Sequence, residues 1–190
     1  MENKSILIVG VGGQGTLLAS KLLGSALVSK GLDVKVSEVH GMSQRGGSVV
    51  TYVRFGERVD APIIDLGEAD YILSFELLES ARYLPYLKKG GTIVTNTQKI
   101  DPMPVITGAA KYPEGIEEQL TAKGAKLITC DALSIAQQAG SQKAVNVVLM
   151  AVLAKQIDIP KDIWLQAVRD CVPAKFLELN LKAFELAYEN

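Results

Sequence analysis

The chain has 190 residues, enough for one domain with a proper core and short for two, so a single unit over 1–190 is expected. An apolar fraction of 48% and a charged fraction of 22% are ordinary for a globular protein, and a net charge of −1 gives no electrostatic footprint for nucleic acid. The longest apolar stretch, residues 144–154, is interrupted by Asn146 and too short to span a bilayer; no apolar leader with a small-residue cleavage site is visible, so neither a membrane nor a secretory role is expected.

Cys130 and Cys171 stand far apart and outside any C-x-x-C pair. An iron–sulfur cluster normally takes four thiolates, and two cysteines with one histidine make a poor zinc set. Both thiols are expected reduced and buried, in a cytoplasmic protein.

Taken in order, residues 5–9 (S-I-L-I-V) read as a buried strand, followed by the glycine turn G-V-G-G-Q-G at 10–15 and a helix over about 14–30 that stops at Gly31. Strand, turn and helix are the context in which G-x-G-x-x-G has meaning. Gly10 allows the tight turn, Gly12 a close ligand approach and Gly15 tight helix packing, while the helix start offers free N–H groups to an anion. Gly13 and Gln14 complete the loop, and the Gln14 amide adds a donor and an acceptor. The same glycines also serve simple helix–sheet packing, since fold and ligand are separable claims. A second strand covers 33–38, and Glu38 at its end stands about where a dinucleotide site puts its ribose-binding acid.

The next stretch, His40-Gly41-Met42-Ser43-Gln44-Arg45-Gly46-Gly47, is polar, glycine-rich and follows the strand at once. It is expected at the carboxyl edge of the sheet, where open α/β sheets bind ligands, with Arg45 presenting a guanidinium to a phosphate or carboxylate. His40 alone proves little, since a lone histidine has no identifiable acid partner here. The β-branched strand 48–56 leaves no room for a crossover helix, so it is expected antiparallel to its neighbour or at an edge, giving a mixed sheet.

Further elements are a loop over 57–67, a strand 70–74, a helix 76–87 with Pro85 near its end, a turn 88–91 and a strand 92–96. An extended connection 97–112 carries one short strand at 104–106. A helix 115–123, a strand 125–130 and a helix 132–139 capped by Asp131 follow. The helix 141–156 is mostly apolar, so Asn146 needs a partner, either backbone or a ligand. Pro160 and Pro173 open two tail helices, 161–171 and 174–187. The pattern predicts a three-layer α/β/α Rossmann-like fold with a mostly parallel, mixed sheet and a helical tail.

G-V-G-G-Q-G-T after the first strand and E-V-H-G-M-S-Q-R-G-G-S-V-V after the second resemble the gamma-type subunits of 2-oxoacid:ferredoxin oxidoreductases, with the indolepyruvate members most alike. The segment around Lys143-Ala144-Val145-Asn146 also looks like the family, and the resemblance covers nearly the whole chain. It implies a hetero-oligomer in which a large subunit holds thiamine diphosphate, Mg and the iron–sulfur clusters. There a 2-oxo acid is decarboxylated, coenzyme A takes the acyl group and ferredoxin is reduced. This chain would bind none of those cofactors alone. Gly12, Gly13, Gln14, Gly15, Glu38, His40, Gly41, Ser43, Gln44, Arg45, Gly46, Gly47 and Asn146 are then the candidates for anion binding or the subunit interface. The competing readings are a stand-alone NAD(P)- or FAD-binding enzyme, against which no Tyr-x-x-x-Lys pair appears, and a regulatory or interaction domain.

Overall fold

The computed structural model describes residues 2–40 and 47–190; the side chain of His40 lies outside that description. Six strands form one mixed sheet in the order β2-β3-β1-β4-β5-β6. They are β1 (Lys4–Val11), β2 (Asp33–His40), β3 (Ser48–Gly56), β4 (Ala69–Ser74), β5 (Leu87–Asn96) and β6 (Lys126–Cys130). β1 pairs parallel with β4 and antiparallel with β3, and every residue from Ser5 to Val11 is buried. A strand covered on both faces has to be a continuous apolar run, which is what Ile6-Leu7-Ile8-Val9 supplies.

One face of the sheet carries α1 (Thr16–Ser29), α5 (Ala132–Ala139), α6 (Val145–Ala154), α7 (Lys161–Cys171) and α8 (Leu177–Glu189). α6 is the centre of this layer. Asn146 through Ala154 are all buried, which is why the helix is apolar on every side rather than striped. The other face is thinner, with α2 (Leu77–Arg82) and α4 (Ile116–Ala122) packed over Leu7, Val9, Ile72 and Ile93. Helices on both faces of the sheet give the expected α/β layers.

β3 is antiparallel to both β1 and β2, as the absence of a crossover requires, but it lies inside the sheet and leaves β2 as the edge. Several elements differ from the sequence reading; the helix expected over 141–156, for one, is a 3-10 turn at Gln142–Ala144 that runs into α6. Residues 103–106 are not a strand but a short helix, α3 (Met103–Ile106), because Pro104 sits in its first turn, where a missing N–H and a fixed φ favour helix. The second helix stops at Arg82, and Leu84–Tyr86 forms a separate 3-10 turn containing Pro85. The expected turn at 88–91 is instead part of β5, with Gly90 at φ 74° and a register shift against β4 absorbing the irregularity. Cys130 ends β6 and Cys171 ends α7; burial pushes the Cys130 thiol up to about 11.

Candidate functional site

The glycine turn follows β1 and is held from four sides. Gly12 N–H donates to the Gly47 carbonyl (2.9 Å), tying the turn to the start of β3. Gln14 closes the loop on itself, its Oε1 accepting from Val11 N–H (2.7 Å). Its Nε2 donates to the Phe75 carbonyl at the end of β4 (3.0 Å) and to Gln98 Oε1 (3.3 Å). The amide read as a ligand group is therefore spent on fixing the loop between neighbouring strands.

Gly10 has no room for a side chain, since a Cβ would lie 2.9 Å from Gln14 Oε1 and 2.9 Å from Phe75 Cβ. Gly15 caps α1 at φ 88°. A Cβ there would lie 2.7 Å from Asn146 Nδ2, so this glycine admits α6 rather than the sheet. Asn146 finds its partners in the backbone: its Oδ1 accepts from Val147 N–H (2.9 Å) and its Nδ2 donates to the Gly15 carbonyl (3.5 Å).

The result is a cleft of about 480 Å³ at the carboxyl edge of the sheet, lined by Gly13, Gly15, Gln98, Gln142, Lys143 and Asn146 among others. The amino end of α1, with no side-chain cap and no acid in its first turn, opens onto it, as does the 3-10 turn Gln142–Ala144 that leads into α6 and whose Lys143 N–H is capped by Ser141 Oγ (3.2 Å). Among the described residues, Lys143 is the one charged member of the lining. The free N–H groups at the start of α1 and the Lys143 ammonium make the cleft suited to an anionic group.

A second cleft of about 510 Å³ lies on the other side of the turn, between Val11, Gly47, Ser48, Glu79, Arg82 and the segment around α3. Two buried carboxylates that the sequence reading missed organise this side. Glu76 caps α2, accepting from Glu79 N–H (2.9 Å), and also accepts from Ile100 N–H (3.0 Å) and from the Tyr112 hydroxyl. Burial and the Glu76 carboxylate push the Tyr112 phenol well above its ordinary range. Glu79 is 4% exposed, accepts from the Ser48 hydroxyl and pairs with Arg82 Nε (3.1 Å). Burial raises its affinity for a proton, and the Ser48 and Arg82 donors act against that rise. Above the cleft Met103 and Ile106 are 64% and 65% exposed, an apolar crest clamped at both ends by Glu76.

Gly12, Gly13, Gln14, Gly15, Gly47 and Asn146 thus meet around one turn. Glu38 does not join them. β3 stands between β1 and β2, roughly 10 Å of sheet, and the Glu38 carboxylate accepts from Ser20 Oγ on α1 (2.9 Å). A ribose-binding acid belongs to a strand directly beside β1, so the dinucleotide arrangement suggested by the first forty residues is corrected by topology. His40 ends β2, paired with Val49. Gly41, Ser43, Gln44, Arg45 and Gly46 lie outside the described residues.

A family model described as pyruvate ferredoxin/flavodoxin oxidoreductase matches residues 5–190. The chain belongs to this family. Within it, the chain is 44% identical to a protein named indolepyruvate oxidoreductase subunit IorB from Thermococcus kodakarensis, over 98% of this chain and 95% of that one. It is 27% identical to a pyruvate/ketoisovalerate oxidoreductases common subunit gamma from Thermococcus litoralis, over 95% and 92%. Among solved structures, a pyruvate oxidoreductase subunit PORC from Thermotoga maritima shares the fold at TM-score 0.76 and 19% identity, covering 100% of this chain and 97% of that one. A 2-oxoglutarate:ferredoxin oxidoreductase from Magnetococcus marinus, solved with 2-oxoglutarate, coenzyme A and succinyl-CoA bound, shares it at TM-score 0.73 and 18% identity; this family member covers 100% of itself and 31% of that longer chain.

Proposed function

We propose that the chain is the small subunit of an indolepyruvate:ferredoxin oxidoreductase, an enzyme that oxidatively decarboxylates an aryl 2-oxo acid to its acyl-coenzyme A and reduces ferredoxin. The observation that carries this reading is the end-to-end match to indolepyruvate oxidoreductase subunits, 44% over 95% of the relative's length. Thiamine diphosphate, with Mg, supplies carbanion stabilisation in such a complex, and iron–sulfur clusters carry the electrons; we assign both to the large subunit. The reading follows from the sequence, whose two cysteines are fewer than the four thiolates a cluster normally takes. The cleft of the glycine turn is this chain's own contribution. The uncapped start of α1 and Lys143 suit a coenzyme A phosphate or the 2-oxo acid carboxylate, with Arg45, from the segment 41–46, as a second cation.

Two experiments test this. The chain co-expressed with its large subunit is assayed for viologen reduction with coenzyme A and a panel of 2-oxo acids. Activity on indolepyruvate is the expected result, and activity on pyruvate or 2-oxoglutarate alone overturns the substrate. In the same complex Arg45→Ala raises the KM for coenzyme A or for the 2-oxo acid by about tenfold, the loss of one charge-assisted contact. Unchanged KM values for both, with assembly intact, remove Arg45 from the site.

A further inference from the structure

The amino-terminal edge of the sheet lies opposite the glycine turn and has a different chemistry. Two shallow depressions of about 230 Å³ and 310 Å³ adjoin there and share Lys88, Lys89 and Gly90. The first also holds Lys4, Asp70 and Lys126, and the second Lys123. Five lysines thus face one carboxylate in a chain whose net charge is −1. That carboxylate is already committed. Asp70 Oδ2 accepts from Ser5 N–H (2.8 Å), and its Oδ1 takes both Lys4 Nζ (3.3 Å) and Lys88 Nζ (3.1 Å). Glu2 lies on the Lys4 side. Lys89, Lys123 and Lys126 form no ion pair among the described residues.

We infer that this edge is a docking surface for the acidic face of a partner protein. The dimensions favour a macromolecule over a small anion. Lys4 on β1 and Lys126 on β6 are separated by three strand spacings, roughly 14 Å, and Lys123 extends the row at the end of α4. No single phosphate bridges that distance. The chemistry favours a protein over a lipid surface. None of the large apolar side chains that are exposed elsewhere, such as Met103, Ile106 or Leu66, lines either depression, and the large apolar residues that do, Tyr71, Leu84 and Leu87, are half-buried rather than free to insert between lipids. Gly90, at φ 74° with open space where a Cβ would stand, lets a facing backbone come close between the two groups of lysines. A patch of one sign mainly steers encounter and sets its salt dependence.

The test uses the full-length chain and poly-L-glutamate as the probe, followed by fluorescence anisotropy at low and moderate salt. Wild type binds, and binding weakens steeply as salt rises. K89E/K123E/K126E, which leaves the Asp70 pairs intact, weakens binding at low salt by at least about tenfold; K175E, on the helical tail, leaves it unchanged. The inference is overturned if the triple variant binds as well as wild type, or if the probe does not bind wild type at low salt. It is also overturned if inorganic tripolyphosphate or vesicles of phosphatidylserine bind tighter than poly-L-glutamate. Circular dichroism of the triple variant, with the wild-type spectrum and melting curve, separates lost binding from lost fold.

Discussion

The two faces of the sheet are sealed by different means. The face under α1 and α5–α8 is closed mainly by apolar packing, around an α6 whose buried run extends from Asn146 to Ala154, with scattered polar ties such as the Tyr71 hydroxyl to the Gln156 carbonyl (2.9 Å). The face under α2 and α4 has a smaller apolar cluster and is completed by Glu76, Glu79, Tyr112 and Ser48. The first arrangement supplies stability without direction. The second supplies direction, because each carboxylate accepts from named donors: Glu76 fixes where residues 97–113 run beside the glycine turn, and Glu79 ties the start of β3 to α2. The fold rests on one face and the position of the crest on the other.

Four substitutions sharpen this contrast, beginning with the largest effect. Phe184→Ala removes a fully buried ring that stacks on Tyr188 at 5.7 Å and is expected to cost about 3–5 kcal/mol in denaturant unfolding, with no local signature. Glu76→Ala leaves the N–H groups of Glu79 and Ile100 and the Tyr112 hydroxyl without their acceptor, a cost of about 3 kcal/mol. Here the signature is local: amide exchange at Ile100 accelerates while the amides of α6 stay protected. Equal acceleration on both faces would break the contrast. Gly15→Ala strains a φ of 88° and meets Asn146, so a loss of about 1–3 kcal/mol is expected, with disturbance confined to the glycine turn and the start of α6.

The smallest effect is a pH dependence. Glu79 holds its proton more tightly in the folded chain than in the unfolded one. From the ordinary carboxylate range up to its raised folded value the native state carries the extra proton, so this group's contribution to stability falls as pH rises through that window. Ser48→Ala removes a donor that opposes the rise. The variant is therefore expected to lose more stability at neutral pH than at pH 4, and the Glu79 carboxyl, followed by carbon NMR, is expected to titrate higher than in wild type. Titration at a lower pH would contradict the assigned role of Ser48.

What the sequence disclosed follows the same division. Ile6 to Val9, the glycines, the antiparallel third strand and the Asp131 cap, which accepts from Ser134 N–H at 3.1 Å, are local patterns with local physical causes. Glu76 and Glu79 were illegible because two acids on a short helix usually lie on its solvated face, and their donors come from residues 24 and 36 positions onward or 31 positions back. The sole local sign was an acid immediately before Leu77-Leu78 and three residues before Glu79, the pattern of a helix cap. Glu38 misled for a related reason. Its distance from the glycines in sequence suits a ribose, but only the pairing of β3 with β1 shows that the two strands are not neighbours.

The measurement that tests the central claim most directly is purification of the tagged chain from its native cells, with iron, thiamine diphosphate and 2-oxo-acid-dependent viologen reduction determined in the eluate. A large iron-bearing partner and activity with indolepyruvate and coenzyme A is the result expected of a small oxidoreductase subunit. A chain that elutes alone, without iron, and binds NAD would contradict it.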